Sequence, residues 1–315
     1  MADMTRARVS RSMAGAAAIS VAVAVGAAVW VAQADVTHID EPAQPAGTDF
    51  QPADRLTPPG TNRSLRFYGA GTGQIDRVRV PLSGTTQANV GATDFTVEFW
   101  IKGALADNPA SGCSTANDAW INGHIVIDRD VYNAGDYGDF GISLLGGTVA
   151  FGASKGSSGA TVCGNTTVLD GAWHHVAVTR ESSNGRMRIW VDGALDAQNA
   201  SSPVTGNVAY RTGRSTSFPA DPTLVFGAEK HDAGSAYPSF DGFLDEVRLS
   251  TSLRYTANFT RPSGRFTVDA ATAALWHFDE GTGTAVADAK GTSPGTLLVG
   301  GSPAGPVWAT DVPFA

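Results

Sequence analysis

Hydrophobic and polar residues alternate along most of this chain, most regularly in Asp170-Gly-Ala-Trp-His-His-Val-Ala-Val-Thr-Arg180 and Met187-Arg-Ile-Trp-Val191. Alternation at period two is the signature of strands with one face buried. His174, Val176 and Val178 form one row; Met187, Ile189 and Val191 form another. Asn184-Gly185 and Asp192-Gly193 tolerate the positive φ of two-residue hairpin turns, so residues 170–196 predict a three-stranded antiparallel meander. Alternation also puts His174 and His175 on opposite faces, where they cannot clamp one ion, and leaves Asp192 a sufficient role in its turn. The same reading places strands over 64–68, 77–81, 95–102, 124–128, 139–144, 148–153, 174–180, 187–192, 223–226, 243–250, 274–278 and 295–299. Short strands of this kind, with glycine-rich turns, predict an all-β fold in which two antiparallel sheets pack as a jelly-roll sandwich.

The N-terminus breaks this pattern. Arg6, Arg8 and Arg11 precede an apolar and small-residue run from Met13 to Ala32, and Ala32-Gln33-Ala34 fits a small-x-small cleavage site. Residues 1–34 therefore read as a signal peptide cleaved after Ala34, with an uncleaved membrane anchor as the alternative. Residues 35–61 carry Pro42, Pro45, Pro52, Pro58 and Pro59 with few large apolar side chains, the composition of a disordered linker. The sandwich then occupies 62–315. The expected location is secreted and extracellular, or N-terminally anchored at the cell surface. Export suits Cys113 and Cys163, the only cysteines, which are expected to form a disulfide. A net charge of −8 with no basic stripe argues against nucleic-acid binding.

Asp170–Asp196 and five further segments carry a resemblance. Ser64-Leu-Arg-Phe-Tyr-Gly69 with Asp76-Arg-Val-Arg-Val-Pro81, then Asp94-Phe-Thr-Val-Glu-Phe-Trp-Ile-Lys102, Asp170–Asp196, Phe240-Asp-Gly-Phe-Leu-Asp-Glu-Val-Arg-Leu-Ser250 and Ala274-Leu-Trp-His-Phe-Asp-Glu-Gly-Thr-Gly283 resemble the motifs of laminin-G-like, concanavalin A-like lectin/glucanase domains. The resemblance implies the sandwich fold and extracellular binding of carbohydrate or protein, with Ca2+ on rim loops in related domains. It also raises glycan hydrolysis, for which retaining enzymes need two carboxylates about 5 Å apart. Glu98 has no carboxylate two residues away on either side or four residues further on, and Asp245-Glu246 and Asp279-Glu280 are adjacent pairs that point to opposite faces of a strand. Strict alternation sets Asp245 in an apolar row with Phe243, Val247 and Leu249, where it needs a partner such as Arg66, Arg77 or backbone amides across the sheet, with a Ca2+ ligand as the functional alternative.

Candidate chemistry thus falls on loops. Asp128, Asp130, Asn133, Asp136 and Asp139 form an acidic run whose hard oxygens suit Ca2+, the alternative being a solvated acidic turn. Trp120, Tyr132 and Tyr137 flank it, and His231, Asp232 and Tyr237 lie in a second glycine-containing loop. Trp100 shares the Glu98 face of its strand and is expected to be exposed on a concave sheet. These seven are candidate ligand contacts, because sugars need an aromatic platform beside hydrogen-bonding groups. Trp173, Trp190, Trp276 and His277 are expected to pack. The expected function is a non-catalytic carbohydrate-binding module, assisted by Ca2+. A protein-interaction or adhesion module and a glycoside hydrolase are the alternatives, so the partner is an extracellular glycan or a cell-surface protein.

Overall fold

A computed structural model describes residues 62–82, 86–131, 137–155, 157–210 and 222–314. The expected signal peptide and linker lie outside the described residues. So do Tyr132, Asn133 and Asp136, and the side chain of Tyr137. Among the described residues no helix is long and apolar enough to cross a membrane.

Among the described residues sixteen strands form two eight-stranded sheets whose ladders are all antiparallel. The first sheet runs in the order β10 (Ala194–Gln198), β9 (Met187–Val191), β8 (His174–Arg180), β3 (Phe95–Gly103), β12 (Asp241–Ser250), β1 (Ser64–Tyr68) and β16 (Val307–Ala309), with β13 (Thr272–Trp276) pairing the end of β12. The second runs β14 (Ala285–Val286), β15 (Gly295–Leu298), β2 (Arg77–Pro81), β11 (Thr223–Phe226), β4 (His124–Asp128), β5 (Tyr137–Leu145), β6 (Thr148–Lys155) and β7 (Ser158–Thr167). All twelve expected strands are present, and the meander is β8–β9–β10. The sheets pack face to face, as their alternation requires: Phe95, Val97, Phe99 and Ile101 enter the shared core, where Phe95 meets Phe140 at 5.2 Å and Phe151 at 6.2 Å.

Strict alternation fails in β12. Asp245 pairs with Trp100 while Arg248 pairs with Glu98, so three steps on β12 match two on β3. That is a β-bulge, and Glu246 adopts a φ of 50° to make it. The extra residue reverses the facing, so Leu244, Val247 and Leu249 all reach the core. Asp245 lies across from Trp100 on the outer face, not in the apolar row that period two assigns it. Its Oδ1 accepts the Glu246 amide at 2.8 Å, and burial with the adjacent Glu246 charge pushes its carboxyl well above the usual range. Neither Arg66 nor Arg77 is its partner: Arg66 pairs with Asp241 at 2.6 Å, and Arg77 Nη1 donates to the Glu229 carbonyl at 2.7 Å.

Both outer faces are covered over their central strands. On the first sheet, residues 251–271 and the C-terminus lie over Glu98, Trp100, His175 and Trp190. Phe314 meets Trp100 edge-on at 4.9 Å, the Arg261 guanidinium sits 5.3 Å from the Trp100 ring, and Phe259 and Phe266 flank His175. Trp100 is therefore 2% exposed rather than an open platform. On the second sheet, Gly141 and Gly152 face each other across β5 and β6, and Trp120 lies in the slot they leave. A methyl group at either glycine would overlap the indole. Trp120 is 1% exposed, packed with Ile125, Leu145 and Ala150. The Cys113–Cys163 disulfide ties the loop carrying Trp120 to β7. Closing that loop of separation 50 stabilises the fold by about 4 kcal/mol in the chain-entropy model.

Side chains also close the sandwich at its edges. Asp196 on β10 accepts the Asn165 and Thr166 amides of β7 at 2.8 and 3.0 Å, and at the opposite edge Trp308 Nε1 donates to the Gly283 carbonyl at 3.0 Å. At one end of the meander, His174 is held between Asp192 (2.8 Å) and Asp170 (3.1 Å). The hydrogen bond to Asp192 raises the His174 pKa above its ordinary value.

Two outcomes follow from these contacts. Gly141→Ala should expel the indole from its slot and lower stability by about 1–3 kcal/mol, while Trp120→Ala should cost about 3–5 kcal/mol; denaturant melts read both, and an unshifted Gly141→Ala midpoint would contradict the slot. Because the folded pKa of His174 is raised, its stabilisation is complete below about pH 6.5 and is lost as pH rises through the folded value. The Tm difference between wild type and His174→Gln should therefore shrink from pH 6 to pH 9; a pH-independent difference contradicts the assignment.

Candidate functional site

With Trp100 and Trp120 under cover, the loops at the rim are the next place to look for a ligand site. Three of them are knit together by buried polar groups. Asp76, at a φ of 49°, accepts the Tyr68 and Ala70 amides at 2.9 Å each and so shapes the turn between β1 and β2. Arg77 donates from inside that turn to the carbonyls of Ile75 and Glu229. Asn108 exchanges hydrogen bonds with the backbone of Asp241 at 2.8 and 3.0 Å, fixing the loop after β3 against the start of β12.

These loops enclose a cleft of about 310 Å3 lined by Tyr68, Thr72, Asp107, His124, Ser239 and Asp241, among others. Its chemistry is rich in acceptors. His124 Nδ1 lies 2.8 Å from the Ser239 carbonyl, so Nδ1 must be the donor, and burial lowers the pKa of the ring. The neutral imidazole then keeps Nε2 as an acceptor. Asp107 adds an exposed carboxylate, whereas Asp241 is tied to Arg66. The Arg66 guanidinium lies 4.5 Å from the Tyr68 ring and holds that half-buried aromatic at the wall.

The long loop from β11 to β12 carries a second constellation at its other end. Asp130, Glu229 and His231 bring ligand-type atoms within 4.8 Å of one another. Glu229 Oε2 accepts the His231 amide at 2.7 Å, and Glu229 Oε1 and Asp130 Oδ1 lie 3.1 and 3.0 Å from His231 Nδ1. Asp128 braces the arrangement from beneath: its oxygens accept the Asp130 amide at 2.7 Å and the Lys230 amide at 2.9 Å. Burial, with the Asp130 and Glu229 charges beside it, pushes the Asp128 carboxyl well above its usual range. Asp118, at a φ of 55°, is likewise raised by burial and by Asp130.

The sequence candidates divide accordingly. Trp100 and Trp120 are buried under the two covers, so neither offers a face to a sugar. His231 is buried in the acidic constellation, beside exposed Asp232, and Tyr237 is half-buried further along the same loop. Of the acidic run, Asp128 is engaged with backbone amides, Asp130 joins His231, and Asp139 accepts the Ser154 hydroxyl at 2.8 Å. Tyr137 begins β5, and Tyr132, Asn133 and Asp136 fall outside the described residues. Sequence reasoning missed Glu229 and Asp118, as well as every cleft residue, because their relation depends on strands far apart in the chain. Only the proximity of Glu229 to His231 in sequence could have signalled one of them.

A second cluster of similar composition, Glu246, His277 and Asp279, lies near the bulge. There Arg265 bridges Glu246 and Asp279, so the carboxylates already have their cation. Glu98, a carboxylate at the centre of the first sheet, accepts bonds from Arg248, Tyr255 and His175 and is wholly buried. Burial alone would raise it, but the His175 hydrogen bond and the Arg248 charge outweigh that and hold it below its ordinary value.

Comparison with known proteins agrees with this architecture. A protein from Bacteroides ovatus, provisionally described as carbohydrate-binding, superposes with a TM-score of 0.52 at 14% identity over 81% of this chain and 62% of its own. A heptameric pentraxin from Limulus polyphemus gives 0.39 at 14% identity, over 67% of this chain and 93% of its own. The mouse sushi, von Willebrand factor type A, EGF and pentraxin domain-containing protein 1 is 28% identical over 81 residues, which are 26% of this chain and 2% of that protein. The laminin-G family profile described as the concanavalin A-like lectin/glucanases superfamily matches residues 72–258, more than half of the chain. The chain therefore belongs to the concanavalin A-like lectin/glucanases superfamily, as a laminin-G-type domain.

Proposed function

We propose that this domain is an extracellular glycan-binding module without chemistry of its own, and that the Tyr68 cleft receives the sugar. The observation that carries this reading is the composition of the cleft. An aromatic wall stands beside the Asp107 carboxylate and a neutral His124. Sugar hydroxyls are donors that such acceptors can satisfy, while the apolar face of a pyranose can lie against an aromatic ring. The description of the Bacteroides protein, which shares the fold, supports the same class of ligand. The export-type N-terminus and the disulfide favour an extracellular setting.

A binding role without hydrolysis is supported by the state of the carboxylates. Asp241 is paired with Arg66, Glu98 is sealed under the cover of the first sheet, and Glu246 with Asp279 is bridged by Arg265. A retaining pair needs two accessible carboxyl groups flanking one bond, and these are engaged otherwise.

A glycan array probed with the purified protein should give selective binding, and the Tyr68→Ala and Asp107→Asn variants should each weaken the best hit about tenfold, the loss of one stacking contact or one charge-assisted hydrogen bond. Both variants should keep the wild-type Tm. Binding to a surface protein but to no glycan would replace this reading with the adhesion alternative, and undiminished binding by both variants would move the site elsewhere.

A further inference from the structure

The cleft around Tyr68 has a charge as well as a shape. Its walls carry the carboxylates of Asp107 and Asp241, the imidazole of His124, and the hydroxyls of Tyr68, Thr72 and Ser239, and no lysine or arginine lines it among the described residues. Arg66, outside that lining, pairs with Asp241 at 2.6 Å and matches one of the two charges. The other, on exposed Asp107, has no ion pair among the described residues. Resting on the reading of this cleft as a sugar site, we infer that its ligand is an amino sugar, bound in its ammonium form against Asp107 and His124.

Three observations point to a cationic group on the ligand. First, with Asp241 matched and His124 neutral, Asp107 leaves the cleft one charge negative. A sugar bearing a carboxylate or sulfate would meet like charge there, and a neutral sugar would cover Asp107 without giving it a counter-charge. Second, His124 is only 8% exposed, and its Nδ1 proton is committed to the Ser239 carbonyl at 2.8 Å. Nε2 makes no hydrogen bond among the described residues, and the ring opens on the cleft. A nearly buried acceptor of this kind favours a ligand that brings a donor. An ammonium brings three and no acceptor, and its bonds to an imidazole nitrogen and a carboxylate are charge-assisted. Third, the surroundings do not place a competing cation in the cleft. Burial lowers the His124 pKa by more than the Ser239 bond and the Asp241 charge raise it. At neighbouring Asp76, whose pKa is raised chiefly by burial, the Asp241 charge outweighs that of Arg66, so the pair still presents a negative field on that side.

The rest of the lining favours a sugar over another amine. A lysine side chain offers the same ammonium, but it has no ring face for Tyr68 and no hydroxyls for Thr72 and Ser239 to bond. The volume of about 310 Å3 stands at the lower end of the ~300–1,000 Å3 usual for small-ligand sites, which suits a chain end or a short segment of glycan.

The test titrates the purified protein, in EDTA at pH 6.5, with three β-1,4-linked tetrasaccharides that differ only at C2: those of glucosamine, N-acetylglucosamine and glucose. We expect the glucosamine tetramer to bind about tenfold or more tightly than either of the others. Asp107→Asn should remove that margin, weakening the glucosamine tetramer about tenfold and leaving the other two within about twofold. The margin should also fade above about pH 8, as the amine loses its proton. His124→Phe should reduce it as well; should that variant fail to fold, Asp107→Asn carries the test. Equal binding of the three tetramers, tighter binding of the acetylated or glucose form, or a margin that survives Asp107→Asn would each overturn the amino-sugar assignment. If Tyr68→Ala then weakens all three, the glycan-binding reading still stands. Nα-acetyl-lysine amide bound as tightly as the glucosamine tetramer would replace the sugar with a lysine side chain, and binding of no tetramer and no arrayed glycan would overturn both readings.

Discussion

A carboxylate without access to water sits at the centre of the first sheet, and the organisation of that side of the molecule follows from it. Glu98 is flanked by Trp100 and Thr96 on the outward face of β3, where a sandwich ordinarily meets solvent. Here the charge is matched from three directions: Arg248 on the neighbouring strand, His175 on the other neighbour, and Tyr255 with Arg254 from the covering segment. A buried ion pair of this kind destabilises strongly if one partner is withdrawn. The covering segment is therefore an electrostatic necessity as much as an apolar lid, and its rings can pack on Trp100 and Trp190 because Glu98 fixes where Tyr255 must lie.

The second sheet solves the same problem with volume instead of charge. A cross-strand glycine pair makes room for one indole, and a disulfide anchors the loop that delivers it. Two unlike devices thus give the same result, in which the central part of each outward face is occupied by the molecule's own chain. At the rim, Asp76, Arg77 and Asn108 give short loops a defined shape.

The strands were legible because each has a private signal, a period of two bounded by turn residues. Those not anticipated lack it: β7 reads Ser-Gly-Ala-Thr-Val-Cys-Gly-Asn-Thr-Thr, and β14 and β16 are too short for periodicity to register. The facing of Asp245 was misread for a different reason. A bulge is one residue in an unusual dihedral, and Glu246 does not announce a φ of 50° as a glycine would. The fates of Trp100 and Trp120 were illegible because alternation says which residues share a face but not whether something else lies upon it. The site was half legible in the same sense. Asp130 and His231 stood out as chemistry on loops, but as members of two separate loops; only the adjacency of β4 and β11 joins them. The cleft around Tyr68 had no local signature, since it is assembled from four parts of the chain.

The clamps at the two borders of the sandwich bear on how such a domain can live among others at high local density. A strand with a bare row of amides and carbonyls invites any passing strand to extend the sheet, and so to build fibres or swap segments. Asp196 occupies the amides at the start of that row on β7, and the opposite border ends in strands of two and three residues pinned through Trp308. Sheet extension is thereby discouraged at both borders. Many copies could crowd a surface without zipping together, and recognition is left to loops, which can be altered one at a time without disturbing the walls behind them.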